Sequence, residues 1–192
     1  MTRTAASSSH PVAEPAPNAT DALHRSYREL IDGAKTLTLG TADAQGEPHA
    51  SYAPFFRDAA GDFHVFVSDL AEHAGNLRDT GRASVMIIED EAAAEHLSAR
   101  RRATFACRAV PVERDTDDWN TRMDAFQAVQ GEGIGRLRKL LDFTLYRLVP
   151  EHGRVVLGFG QAFKVSPEDW SVLQRLPEAR GGHKRQPGHR AR

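Results

Sequence analysis

Short runs of alternating apolar and polar residues, each closed by turn formers, dominate the middle of this chain and leave little choice of architecture. "TLTLGTA" sets Leu37 and Leu39 on one face, and "DAQGEP" then turns the chain. "HASYAPFFRD" continues as a second strand, where Pro54 marks an edge or a bulge because proline has no N–H for a central rung. After "AAGD", "FHVFVS" makes a third strand with Val65 and Val67 facing together, so the three form a meander. "ASVMIIED" is apolar on both faces and reads as a buried strand. "RATFACRAVPVE" alternates again, with Thr104, Ala106 and Arg108 pointing away from Phe105 and Cys107. The last piece, "LLDFTLYRLVPEHGRVVLGFGQAF", reads as two strands joined by a Pro-Glu-His-Gly turn. Its second strand has one face of Val156, Gly158, Gly160 and Ala162 with almost no side-chain bulk, and glycine inside a strand marks a close approach by a ligand or another backbone.

Helical spacing fills the remainder. "DALHRSYRELIDGA" opens with Asp21 as N-cap and places Leu23, Tyr27, Leu30 and Ile31 on one stripe. "DLAEHAGNLRDTG" is a short helix stopped by Gly81, and "EAAAEHLSAR" a loop or helical turn. "DTDDWNTRMDAFQAV" is amphipathic, with Trp119, Met123 and Phe126 on its apolar stripe, and "GIGRLRKLL" makes a further helix. Six or so strands with peripheral helices give a mainly β fold, an antiparallel barrel. The folded body runs from about residue 21 to 176, between a disordered Ala-, Pro- and Ser-rich segment (1–20) and a basic tail (177–192) whose plainest reading is solvated chain.

Composition excludes several classes. A formal net charge of −1 gives no argument for nucleic acid. One cysteine, Cys107, forbids an internal disulfide and suits a cytoplasmic setting, where it reads as a small core residue rather than a reactive thiol. No apolar run is long enough to span a membrane, and the N-terminus lacks the apolar centre of a secretory signal.

Sequence motifs leave the chemistry open. There is no Walker loop, nucleophile elbow, paired-cysteine zinc site or HExxH. "GEGIGRLRKL" lacks the third glycine and the preceding strand of a dinucleotide site. His49 and His64 fall on adjacent strands and can meet, although further metal ligands are missing, and a triad of Ser51, His49 and an aspartate has no local support. The helix with His73 and Arg78 offers N-terminal amides to a phosphate or a propionate, or is an ordinary surface helix.

The stretch from "TLTLGTADAQGEP" through "ASVMIIED" resembles the split-barrel flavin-binding fold of the pyridoxamine-phosphate-oxidase-like proteins. With "DFTLYRLVPEHGRVVLGFGQAFKV" added, the chain more closely resembles the HugZ/HutZ family of haem utilisation proteins, over roughly Tyr27 to Trp170. The resemblance implies a homodimer of split β-barrels with haem at the interface. Haem would be degraded oxidatively and its iron released, with reducing equivalents from an electron donor of unknown identity. It implies a C-terminal histidine as axial iron ligand, here His183 in "RGGHKR" with His189 in reserve, and an aspartate near it across the interface, corresponding to Asp142. A carboxylate on the second ring nitrogen would orient the imidazole and raise its basicity. Arg147 and Arg154 are candidates to pair the haem propionates, and the face carrying Gly158 and Gly160 to let the porphyrin or the partner subunit approach.

Two other functions compete. An FMN-dependent oxidoreductase of the same fold needs phosphate-binding residues around Ser51 to Arg78, yet "HASYAPFF" lacks the Arg and Lys that true pyridoxamine phosphate oxidases carry there. A module that stores or delivers haem without degrading it is the other.

Overall fold

The computed structural model describes residues 19–166 and 168–176. One eight-stranded sheet in the order β3-β2-β1-β4-β5-β6-β7-β8 rolls up, because β3 also pairs with β6 and closes six of its strands into a barrel. The strands are β1 (Thr36–Ala42), β2 (Pro48–Arg57), β3 (Phe63–Ser68), β4 (Arg82–Ile88), β5 (Arg102–Pro111), β6 (Phe143–Val156), β7 (Ala162–Val165) and β8 (Leu173–Arg175). The helices are α1 (Ala19–Asp32), α2 (Glu72–Thr80), α3 (Asp117–Gln130) and α4 (Gly133–Leu137).

Alternation decides what lies inside. Leu37 and Leu39, Val65 and Val67, Phe105 and Cys107 all reach the barrel core, where Tyr27, Leu30 and Ile31 of α1 pack. Burial pushes the Cys107 thiol pKa up to about 12, so it is a core residue and not a nucleophile. A second core lies outside the barrel, where Trp119, Met123 and Phe126 of α3 cover Phe56, Phe66 and Leu145. Thr116 caps α3 by accepting from the Trp119 N–H, and Gly81 ends α2. Pro54 sits at the last rung of the β1–β2 ladder, just before the β2–β3 ladder begins at Phe55, so its missing N–H breaks neither. The segment 91–99 forms two single 3-10 turns.

Four expectations change. Asp21 lies inside the first turn of α1 rather than capping it. β4 is buried on one face only: Ala83, Val85 and Ile87 point inward, while Ser84 is exposed and Met86 and Ile88 are half-buried. The Pro-Glu-His-Gly segment is no turn, because β6 runs straight through it as one 14-residue strand. Its ladder with β5 shifts between Ala106/His152 and Cys107/Pro150, a bulge that leaves Glu151 unpaired and accommodates the proline. Gly158 and Gly160 form no strand face. They belong to the tight turn from β6 to β7, closed by the Leu157 N–H to Gln161 O and the Gln161 N–H to Gly158 O, with Gly160 at φ 66°. The segments 1–18 and 177–192, with His183 and His189, lie outside the described residues.

Candidate functional site

Asp142 stands at the mouth of the barrel where the chain leaves the α4 region and enters β6. Its carboxylate is exposed and accepts from Ser68 Oγ through Oδ2 at 3.3 Å, while its carbonyl accepts from the Asp69 N–H at 2.7 Å. Oδ1 has no partner among the described residues. Leu141, the residue before Asp142, is 84% exposed, and Leu70, the residue after Asp69, whose N–H meets the Asp142 carbonyl, is 90% exposed, an unusual cost for large apolar side chains unless something covers them.

The segment bearing Asp142 is held by a residue that sequence reasoning missed. Arg114 donates to the carbonyls of Arg138 (3.0 Å), Leu140 (2.7 Å) and Phe143 (2.9 Å), and its guanidinium lies 4.9 Å from the Trp119 ring. Arg138 lies 5.0 Å from the same ring, so two cations bracket one indole. No motif announces such a clamp, because its acceptors are backbone oxygens far along the chain.

Arg147 and Arg154 stand far apart within one protomer, seven positions along β6, roughly 23 Å of strand at about 3.3 Å per residue. Arg147 is engaged, its Nε 3.7 Å from Asp62 Oδ2, whereas Arg154 has no partner among the described residues. Arg147 stands beside His64 in the β3–β6 ladder, next to a charged cluster under α3. There His64 Nε2 lies 2.8 Å from Asp58 Oδ2, and Arg122 of α3 reaches both Asp58 (3.3 Å) and Asp118 (2.9 Å). The cluster pins α3 to the barrel wall.

The two strand histidines stay apart. His64 lies opposite Phe56, while His49 lies opposite Thr41 and pairs through Nδ1 with Glu72 at 3.2 Å. Ser51 meets His73 instead, Oγ to Nδ1 at 3.0 Å, and gives its own proton to Leu39 O. Both contacts are satisfied together when His73 donates through Nδ1 to Ser51 Oγ. Burial, and then the charge of His49, holds the His73 pKa below its ordinary value. The start of α2 carries the Glu72 carboxylate, which disfavours a second anion there although its amides have no side-chain cap. No cluster of three metal-ligating side chains occurs among the described residues. The "GEGIG" segment follows helix α3, so it lacks the strand a dinucleotide site requires.

The outer face of β1, β2 and β4 is smooth. Gly40 lies opposite both Ala50 and Ser84, and Thr38 opposite both Tyr52 and Met86, with Tyr52 70% exposed. A shallow groove of about 610 Å³ crosses this face past Pro48, His49 and Arg82.

Known proteins share this arrangement. The pyridoxamine 5'-phosphate oxidase family profile matches residues 23–157. The chain is 44% identical over 163 residues to the haem oxygenase HutZ of Vibrio cholerae serotype O1, covering 85% of this chain and 90% of that protein. The crystal structure of V. cholerae HutZ, described as a haem storage protein, superimposes with a TM-score of 0.64 at 43% identity, over 66% of this chain and 89% of that one. Campylobacter jejuni ChuZ gives a TM-score of 0.75 at 27% identity, over 89% and 68% of the two chains.

Proposed function

The chain belongs to the HugZ/HutZ family within the pyridoxamine 5'-phosphate oxidase-like split barrels, and from that premise we propose that it binds haem and degrades it oxidatively. The observation that carries this reading is the extent of the likeness to the haem oxygenase HutZ, which runs through the barrel and past β6. The residues at the barrel mouth suit such a substrate. Asp142 offers an exposed carboxylate with a free oxygen, and exposed leucines adjoin it in the chain (Leu141) and adjoin its backbone partner Asp69 (Leu70), so a polar contact and apolar surface are both available. Haem supplies the iron that activates oxygen against its own ring, and the protein's part is to hold, orient and desolvate it.

Within this reading His183, from the tail that lies outside the described residues, would hold the haem iron. Asp142, with Ser68 steadying Oδ2, would accept the N–H of that imidazole through its free Oδ1, which would orient the ring and make the iron-binding nitrogen more basic. Arg114 acts through the backbone, holding the Leu140–Phe143 segment so that the carboxylate points outward. The reading also includes a second copy of the chain packed on the smooth face of β1, β2 and β4, with Asp142 of one protomer serving the histidine of the other. An electron donor is required, and its identity is open.

A flavin enzyme is the second reading, supported by the family profile. Against it, β2 carries no Arg or Lys from His49 to Phe56, and the hydroxyl of Ser51 is already committed to His73 and Leu39. Hemin titration followed in the visible spectrum separates the two. We expect a sharp Soret band that saturates near one haem per subunit. Asp142→Asn should keep that band and slow iron release about tenfold or more, the scale set by outer-shell partners of metal-ligating histidines. A protein that purifies yellow and shows only the broad spectrum of free hemin returns the fold to flavin chemistry.

A further inference from the structure

We infer that the open face of β6, β7 and β8 receives the anionic edge of the substrate, with Arg154 and Lys164 as a carboxylate clamp and Val156 with Ala162 as an apolar shelf beside it. This rests on the haem reading above and deepens it.

Sheet register supplies the argument. Arg154 lies directly opposite Lys164, and Lys164 directly opposite Gln174, so three polar side chains stand in one row across three strands. Like charges directly opposite in an antiparallel pair repel. Of the three other arginines on β5 and β6, Arg108 lies near Glu151 and Arg147 near Asp62, while Arg102, opposite Val156, donates to the Arg100 carbonyl and adds a further cation to this face. Arg154 and Lys164 have no hydrogen bond or ion pair among the described residues. They line a groove of about 390 Å³ with His152, Ser166 and Glu168, and Glu168, its one carboxylate, forms no ion pair with either cation. The arrangement is an uncompensated pair of positive charges waiting for two negative ones.

Two rungs along the same ladder, Val156 lies opposite Ala162. Side chains two positions apart on a strand share a face, so this small, half-buried pair sits about 7 Å from the cations on the same side. A flat apolar body with two carboxylates on one edge matches both rows at once, and haem with its two propionates is built that way. A free inorganic phosphate matches the cations and leaves the shelf uncovered. β8 ends at Arg175 beside this face, and His183 follows eight residues later, within about 28 Å of extended chain. The geometry also replaces Arg147 by Lys164 as the second propionate partner, because Arg147 is engaged with Asp62 at the other end of β6.

The test compares hemin with hemin dimethyl ester, which keeps the ring and loses both carboxylates, in wild type, Lys164→Gln and Lys164→Arg. Wild type should bind hemin about tenfold more tightly than the ester, the size of one charge-assisted contact. Lys164→Gln should weaken hemin binding by a similar factor and leave ester binding unchanged, while Lys164→Arg restores hemin affinity. Without ligand, Lys164→Gln should melt no lower than wild type, since removing one of two opposed cations relieves repulsion. Saturable hemin binding that is equal in wild type and Lys164→Gln overturns the clamp and leaves the haem reading standing. Failure of wild type to bind hemin at all overturns both. If phosphate at millimolar concentration displaces hemin in wild type but not in Lys164→Gln, the cations take a simple anion and the apolar shelf is not part of the site.

Discussion

His64 is the most confined polar side chain in the barrel wall. Its ring is fully buried and stacks on Phe56 at 4.4 Å with 12° between the planes. Nε2 lies 2.8 Å from Asp58 Oδ2 and 3.1 Å from Arg122 Nη1, while Nδ1 has no hydrogen-bond partner among the described residues. The charged groups around it are Asp58 and Asp62 of the β2–β3 turn, Arg122 and Asp118 of α3, and Arg147 of β6. Burial holds its pKa below the ordinary 6.5, outweighing the attraction of Asp58. A base whose folded pKa is depressed leaves the unfolded chain to take up protons first, so its stabilisation is complete above about pH 6.5 and is lost as pH falls toward the folded value. His73 contributes with the same sign. Urea unfolding at pH 7 and pH 5 should therefore show a lower stability at pH 5. His64→Gln should cost about 1–3 kcal/mol at pH 7 through the lost buried contacts and flatten that pH dependence. An unchanged slope in the variant would move the acid sensitivity to another group. The sequence marks His64 as a strand residue but not as buried, because its cover is α3, which arrives more than fifty residues later.

At the scale of one element, β6 organises the molecule. It pairs with β5 along its length, with β3 over its first half and with β7 over its last residues, so it both closes the barrel and carries the sheet beyond it. Proline and glycine at Pro150 and Gly153 look like turn punctuation in the sequence, and in isolation they would be. Pairing on both sides overrides that local preference, and the bulge at Glu151 absorbs the proline. The strand glycine that matters is then Gly153, not Gly158 or Gly160. A Cβ there would lie 3.0 Å from the Phe105 ring and 3.0 Å from Val165 Cβ. Gly153→Ala should cost about 1–3 kcal/mol by overpacking, measured by urea unfolding. In a Phe105→Leu background the same change should cost clearly less, since the two sites share a contact. Equal costs in both backgrounds would mean that the Phe105 ring is not what excludes a side chain.

For the whole molecule, the consequence of rolling the sheet is one outer face with almost no relief, set by Thr38, Gly40, Ala50 and Ser84 and bordered by Tyr52 and Met86. Only small side chains in register across three strands make such a surface, and an apolar face of this kind is the expected seat of a second copy. Sedimentation of the intact chain should give twice the protomer mass. Tyr52→Arg combined with Ser84→Arg should give the protomer mass, because it sets four like charges against one another across a two-fold contact. A dimer that survives both changes has its interface elsewhere. The same rolling sets Asp142 and Arg154 at opposite ends of β6, which makes a site shared between protomers easier to assemble than one within a single chain.

The alternating pattern by itself determined the strands β1, β2, β3 and β5, inward residues of β1, β3 and β5, and the stripes of α1 and α3, because periodicity is a property of neighbouring residues. The family resemblance was legible in the same stretches. What tertiary structure alone decided are relations between distant segments. The opposition of Arg154 and Lys164, the Arg114 clamp on the Asp142 segment, the diversion of Arg147 to Asp62 and the continuity of β6 through a proline are all of this kind. Each depends on which strands become neighbours when the sheet closes, and closure is settled by the combined burial of two cores rather than by any local run of residues.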